Sequence, residues 1–288
     1  MINSILDTIG NTPLVRLTKI ESLYGIKANL YAKLESLNPF GSIKDRAALG
    51  IIKEAIKRGD LQNKTGIIDA TSGNMGISLS AISRLFNLKS TIIMPENASQ
   101  KRKALLKLHG SKVVLTSASS GINESIKLAR KLSLEQPDYF YTNQFENIAS
   151  IDAHFTSTAP EIEHALGRAP DIIISGIGTG GTIMGLAKYY SSTTTQVCGV
   201  IPSTSSYIPG LRSDIESPII DKKAISKIIS VSNNGLQDIQ INLLRYEGIF
   251  AGYSSSATLS ACLELHKYDE LNGEIVVLIF PDSGERYI

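Results

Sequence analysis

Residues 66–86 read GIIDATSGNMGISLSAISRLF. GIIDA (66–70) is a short apolar run, Thr71-Ser72-Gly73-Asn74 is a polar turn, and ISLSAISRLF (77–86) is amphipathic at helical spacing. The order strand, loop, helix is the unit from which parallel sheets are built. The same unit recurs along the chain. STIIMP (90–95), KVVLT (112–116), DIIISG (171–176), QVCGVI (196–201) and EIVVLIF (274–280) read as strands buried on both faces. NESIKLARKL (123–132) and TIMGLAKYY (182–190) read as helices between them. Such alternation predicts an α/β fold of parallel sheets covered by helices. The first forty residues differ: TPLVRL and NLYAKLE read as strands with no helix between them. A second break falls near 144–151, and residues 203–222 form a long Ser/Pro-rich loop. The expected architecture is two parallel-sheet α/β domains with the active site in the cleft between them.

Composition narrows the function classes. Of 288 residues, 42% are hydrophobic and 19% charged, with a net charge of +2, which is ordinary globular composition. The densest basic run, Lys101-Arg102-Lys103, precedes Leu105, Leu106 and Leu108 and reads as the solvated face of a helix, so no nucleic-acid partner is expected. Cys198 and Cys262 lie in apolar surroundings and read as buried free thiols. The four histidines, at 109, 154, 164 and 266, show no ligand spacing, so no metal is expected. The start, MINSILDTIG, has no signal-peptide pattern, and the longest apolar runs suit a strand rather than a membrane span. The expected location is cytoplasmic.

Three turns place small or hydroxyl residues where a helix begins: TSGNMG (71–76), SGIGTGGT (175–182) and AGYSSSAT (251–258). Free N–H groups and the helix dipole favour an anion at such places. Gly176, Gly178 and Gly181 also match a dinucleotide fingerprint, but the next strand ends VCGVIPST without the acid that grips a ribose. GTGGT reads better as a cradle for one phosphate. In NPFGSIKDRAALGIIKEAIKRG (38–59), Ala48, Leu49, Ile52, Ala55 and Ile56 form one helical face, predicting a helix over 43–58 with Ser42 and Asp45 as a capping box. Lys44 then stands in the first turn, where the positive dipole end lowers the proton affinity of an amine and frees it as a nucleophile. A nucleophilic lysine with a phosphate cradle points to pyridoxal phosphate.

With these residues assembled, the sequence resembles the pyridoxal-phosphate-dependent cysteine synthases (O-acetylserine sulfhydrylases) of the fold-type-II, tryptophan-synthase-β-like group, closest to the B type. The shared motifs are IGNTPLVRL (9–17), NPFGSIKDRAA (38–48), ATSGN-GI (70–77), MPENAS (94–99), QFEN (144–147), AHFTSTAPEI (153–162), GTGGT (178–182), EGIFAG (247–252) and DSGERY (282–287). The resemblance implies a larger cofactor-binding domain, residues 1–38 plus 148–288, and a smaller mobile one, 39–147. It implies that Lys44 carries the cofactor and moves the substrate's Cα proton. Asn74 would bond the 3′-oxygen, Gly178, Thr179, Gly180, Gly181 and Thr182 the phosphate, and Ser254 the pyridine nitrogen. Thr71, Ser72 and Gln144 would hold the substrate's α-carboxylate. Arg212, in the loop SSYIPGLRSDIESPIID (205–221), matches an arginine that reads a phosphate or thiosulfate charge.

The implied reaction is β-replacement on O-acetylserine or O-phosphoserine by sulfide or thiosulfate, giving L-cysteine or S-sulfocysteine. A homodimer is implied, with serine acetyltransferase as a partner by family analogy. Alternatives are another nucleophile (cystathionine-β-synthase-like or amine-using), a cysteine lyase, or a low-turnover paralogue that acts as a binding partner. Two positions depart from the family: Met75 replaces the threonine of T-S-G-N-T-G within the substrate grip, and Ser256 stands where glycine is usual.

Overall fold

Each apolar run with β-branched residues forms a strand, and the amphipathic segments between them form helices. The computed structural model describes residues 1–213, 217–268 and 270–288. The chain opens with β1 (Leu14–Arg16), α1 (Thr18–Tyr24), β2 (Asn29–Leu34) and α2 (Lys44–Arg58). It continues through β3 (Gly66–Ala70), α3 (Asn74–Leu85), β4 (Lys89–Pro95), α4 (Gln100–Leu108), β5 (Lys112–Thr116), α5 (Gly121–Glu135) and β6 (Tyr139–Tyr141). The last half holds α6 (Ala149–Ala153), α7 (Ala159–Leu166), β7 (Ile172–Gly176), α8 (Gly181–Tyr189) and β8 (Gln196–Pro202). Beyond β8 come β9 (Lys227–Val231), α9 (Leu236–Asn242), α10 (Tyr253–Lys267) and β10 (Ile275–Phe280).

The chain divides into two compact units, residues 1–9 with 44–150, and residues 10–43 with 151–288. The first holds a four-stranded sheet in the order β5-β4-β3-β6, parallel throughout. The second holds a six-stranded sheet, β1-β2-β10-β7-β8-β9, in which only β1 is antiparallel. Residue alternation in the six-stranded sheet feeds two cores. Ile172, Ile174, Val276 and Leu278 pack on one side, Ile173, Val277 and Ile279 on the other. Helices therefore cover both faces, as a sheet of continuous apolar strands requires.

Three sequence expectations are corrected. A helix, α1, does stand between TPLVRL and NLYAKLE; it buries only Ile20 and stops at Gly25, whose φ of 66° is left-handed, so its apolar periodicity is weak. KVVLT is not buried on both faces, because β5 is an edge strand paired to β4 alone and its residues are mostly half-buried or exposed. The basic run is not a solvated face. Lys103 is 9% exposed and donates to the Glu96 carbonyl, while half-buried Arg102 donates to the Ser72 carbonyl; Lys101 alone is exposed. Both cysteines are buried free thiols, and burial pushes Cys198 up to about 11 and Cys262 up to about 12.

Candidate active site

Strand order locates the site in each unit. In an open parallel sheet a ligand binds beyond the C-terminal strand ends, where neighbouring chains leave in opposite directions. In the four-stranded sheet that point lies between β3 and β6, because β3 is flanked by β4 on one side and β6 on the other. The segments leaving there are the Thr71–Asn74 turn after β3 and the Thr142–Asn147 segment after β6. In the six-stranded sheet the corresponding point lies between β7 and β10, and the Ile177–Gly180 turn follows β7.

The first unit gathers six of the expected residues. Lys44 is the first residue of α2 and is half-buried. Asp45 is the second residue of this helix; it is fully buried and accepts the Ser78 hydroxyl at 2.5 Å, while that hydroxyl also lies 3.2 Å from the Asn74 carbonyl. The opening of α2 is thus tied to the first turn of α3. Gly73 caps α3 without a side-chain hydrogen bond to the helix. The turn is held by Gly73 N–H donating to the Thr71 hydroxyl (3.2 Å) and by Arg102 donating to the Ser72 carbonyl (3.1 Å). Thr71 is buried, Ser72 and Asn74 are half-buried, and Met75 is 2% exposed, its side chain in the interior. Gln144 is buried and donates its amide to the Ala70 carbonyl at 2.9 Å, which sets it beside the start of the turn.

The second unit gathers the rest. Gly180 caps α8 with a left-handed φ of 99°, again with no side-chain cap bond. A Cβ at Gly178 would stand 2.5 Å from the Gly210 carbonyl oxygen, and one at Gly180 would stand 2.5 Å from Ile220 Cγ1. The 208–212 segment therefore lies directly on the turn, and the Arg212 N–H donates to the Ile177 carbonyl at 2.9 Å. Arg212 is half-buried; residues 214–216 of its loop lie outside the described residues. Ser254 is 3% exposed in the first turn of α10, whose cap, Gly252, also makes no side-chain bond. The Ser254 hydroxyl is 4.0 Å from where a Gly210 Cβ would be, so cradle, loop and serine are neighbours.

One contact escaped sequence reading. His154 lies in a π-helical turn, His154–Thr158, and bonds Thr158 Oγ1 at 2.8 Å and Thr182 Oγ1 at 3.2 Å. It thereby fixes the last residue of the cradle. Gly185 lets the turn approach α8, since a Cβ there would meet His154 Cβ at 2.6 Å. π-turns concentrate at functional sites, but nothing in AHFTST marks one before the fold is known.

A family described as pyridoxal-phosphate dependent enzyme matches residues 5–282. The chain belongs to this family. It is 37% identical over 291 residues to the cysteine synthase B of Pseudomonas aeruginosa, covering 99% of this chain and 95% of that one. Among solved structures it resembles the cysteine synthase of Entamoeba histolytica, with a TM-score of 0.94 and 32% identity over 100% of this chain and 89% of that one. It equally resembles a hydrogen sulfide-producing enzyme from Fusobacterium nucleatum, with a TM-score of 0.93 and 34% identity over 100% of both chains. The expected fold type II and a pyridoxal phosphate cofactor follow from this membership.

The residues present fit that cofactor. A phosphate needs backbone N–H groups that nothing else occupies, and α8 offers an N-terminus capped by glycine alone, in a turn where close packing forbids side chains at 178 and 180. An aldehyde needs an amine on a rigid element, and Lys44 opens a helix of 15 residues.

Proposed function

We propose that this chain makes L-cysteine by replacing the activated hydroxyl of an L-serine ester with sulfide. The observation that carries the reading is end-to-end similarity to cysteine synthases, with coverage of 90% or more of the curated relatives. Bound pyridoxal phosphate supplies an electron sink for bonds broken at the substrate's Cα. Lys44 holds the cofactor, takes the Cα proton and returns it. Its place at the positive end of a helix dipole favours the neutral amine that such a task requires. Gly178 to Thr182 bind the phosphate, with Thr182 oriented by His154. Asn74 donates to the 3′-oxygen, and Ser254 meets the ring nitrogen with a neutral hydroxyl. Thr71, Ser72 and Gln144 hold the α-carboxylate, and Met75 shapes that grip. The ester's leaving group departs with the serine oxygen, and sulfide adds at Cβ. Arg212 places a positive charge beside the cradle, suited to the phosphate of O-phosphoserine or to thiosulfate as donor, with S-sulfocysteine as the product in the latter case. The working form is a homodimer in the cytoplasm, with serine acetyltransferase as the partner that supplies O-acetylserine.

The test uses protein purified with its cofactor. Visible absorption of bound pyridoxal phosphate is expected, shifting on addition of O-acetylserine and returning when sulfide is added and cysteine appears. Lys44→Ala should lose the cofactor on dialysis and all turnover. Absence of any spectral response to both O-acetylserine and O-phosphoserine would sink the reading.

A further inference from the structure

Residues 281–287 leave the C-terminal end of β10, across the strand-order reversal from the turn that leaves β7. They are bonded along their backbone to two other stretches of the second unit. On one side Asp282 forms an antiparallel bridge with Ser42, and the Ile43 N–H donates to the Pro281 carbonyl at 2.9 Å. On the other, Ser283 forms an antiparallel bridge with Ala251. There the Gly252 N–H donates to the Asp282 carbonyl at 3.0 Å and the Gly284 N–H to the Phe250 carbonyl at 2.9 Å. The first stretch runs directly into Lys44, and the second into Ser254.

One side chain extends the first set of contacts. Arg286 donates Nη2 to the Phe40 carbonyl. The next residue, Gly41, has a left-handed φ of 84°, and a Cβ there would fall on the same guanidinium. Arg286 therefore packs on the turn that closes with the Gly41 N–H donating to the Asn38 carbonyl at 2.8 Å, as well as bonding to it. Its own support is fixed. The 3-10 turn Gly284–Tyr287 is capped by Ser283, whose hydroxyl accepts the Glu285 N–H at 3.2 Å. The Tyr287 hydroxyl donates to the Asp282 carboxylate at 2.7 Å, and its ring meets Tyr253 edge-on at 5.4 Å. Arg286 Nη1 is buried with no hydrogen-bond partner among the described residues. A half-buried cation with an unpaired donor is a poor stabiliser, so its place here calls for another account.

We propose that Arg286 is a positioning residue for Lys44, fixing the turn from which the chain enters α2 and with it the placement of the amine. The inference rests on the assignment of Lys44 to the cofactor and to the substrate's Cα proton. Every contact above lies within the second unit, and Lys44 is the next residue along the chain from Ile43. Peptide planes are rigid, so a displacement at 40–43 passes on to the Lys44 backbone. Proton transfer is sensitive to such a shift: a misplacement of about 1 Å costs on the order of a hundredfold. The grip on the amino acid's carboxylate is assigned to Thr71, Ser72 and Gln144 in the first unit. Loss of Arg286 therefore slows the chemical step and leaves amino-acid affinity in place.

Arg286→Met in the cofactor-loaded protein keeps the apolar stem and removes the donors. Unfolding temperature and cofactor retention on dialysis are recorded alongside two spectroscopic quantities. One is affinity for the non-reacting L-serine, read at equilibrium from the visible absorption of bound cofactor. The other is the rate of the spectral change on mixing with O-acetylserine in the absence of sulfide. That rate should fall on the order of tenfold, with a larger deuterium isotope effect at Cα than in the wild type. L-serine affinity should stay within about twofold, and the cofactor should be retained. Arg286→Lys keeps one donor without the planar group that fills the space beside Gly41, so it should recover part of the rate. Wild-type rates in both variants, or in Arg286→Lys where Arg286→Met does not fold, overturn the proposal. So does a loss of L-serine affinity equal to the loss of rate, because the whole site is then disturbed. Lys44→Ala keeps the two questions apart: if it still converts O-acetylserine, the assignment of Lys44 fails whatever Arg286 shows.

Discussion

The two glycine-capped turns, 71–74 before α3 and 176–182 before α8, share a motif and differ in what holds them. In the second, steric contact does the holding: the Gly210 carbonyl, Ile220 and Leu211 each sit where a Cβ at 178, 180 or 176 would be. In the first, a Cβ at Gly73 would meet nothing within 4 Å. That turn is shaped by hydrogen bonds from Arg102 and Gln144, and by the Thr71 hydroxyl. A turn locked by packing keeps one shape for one group, as a phosphate common to every cycle requires. A turn held by side-chain bonds can be retuned by substitution, as the choice of amino acid requires.

The largest effect should come from placing the same methyl group in both. Gly178→Ala drives a side chain onto a backbone carbonyl 2.5 Å away, so the turn or the 208–212 segment must shift. Overpacking of that kind costs about 1–3 kcal/mol in stability, and displaced N–H groups should lose the phosphate altogether. Gly73→Ala enters open space at a φ of −120°, which any residue adopts, so a stability change within about 0.5 kcal/mol is expected, with cofactor retained. Cofactor content after gel filtration distinguishes the two; equal loss from both variants would break the comparison.

The same contrast explains what the sequence makes legible. Strands in the middle of a sheet announce themselves: GIIDA has the expected bounds, and the strand read at 90–95 begins one residue earlier, at Lys89. Tyr139–Tyr141 is three residues long and Lys227–Val231 is half exposed, both at sheet edges, so neither has the apolar run that marks a buried strand. Glycines at helix starts are readable because their backbone role is local. His154 is not, since it acts on a neighbour 28 positions away that only helix packing brings close.

A smaller effect should come from Met75, at the second position of α3 and 2% exposed. Met75→Thr removes buried volume and leaves a hydroxyl in the interior, so a loss of about 2–4 kcal/mol is expected by thermal or chemical unfolding. The added donor is expected to lower the KM for O-acetylserine while cofactor retention stays unchanged. Those opposite signs would mark the turn as a place where stability and substrate choice are traded. A KM that rises in step with the loss of stability would reduce Met75 to a core residue.

The smallest effect should come from Arg102, which touches the turn through the Ser72 carbonyl. A charge-assisted hydrogen bond to the Ser72 carbonyl orients the Ser72–Gly73 peptide, and with it the Gly73 N–H on the opposite edge, which donates to the Thr71 hydroxyl. Losing it loosens the Ser72–Gly73 peptide, since the space beside Gly73 where a Cβ would stand is open. Arg102→Ala should therefore raise the KM for O-acetylserine on the order of three- to tenfold with kcat nearly unchanged, the signature of weaker uniform binding. Arg102→Lys, with a single point donor in place of the planar fork, should recover only part of that loss. If Arg102→Ala released the cofactor instead, the two turns could not differ as described, since the hydrogen-bonded one would then be as indispensable to the phosphate-bearing group as the packed one.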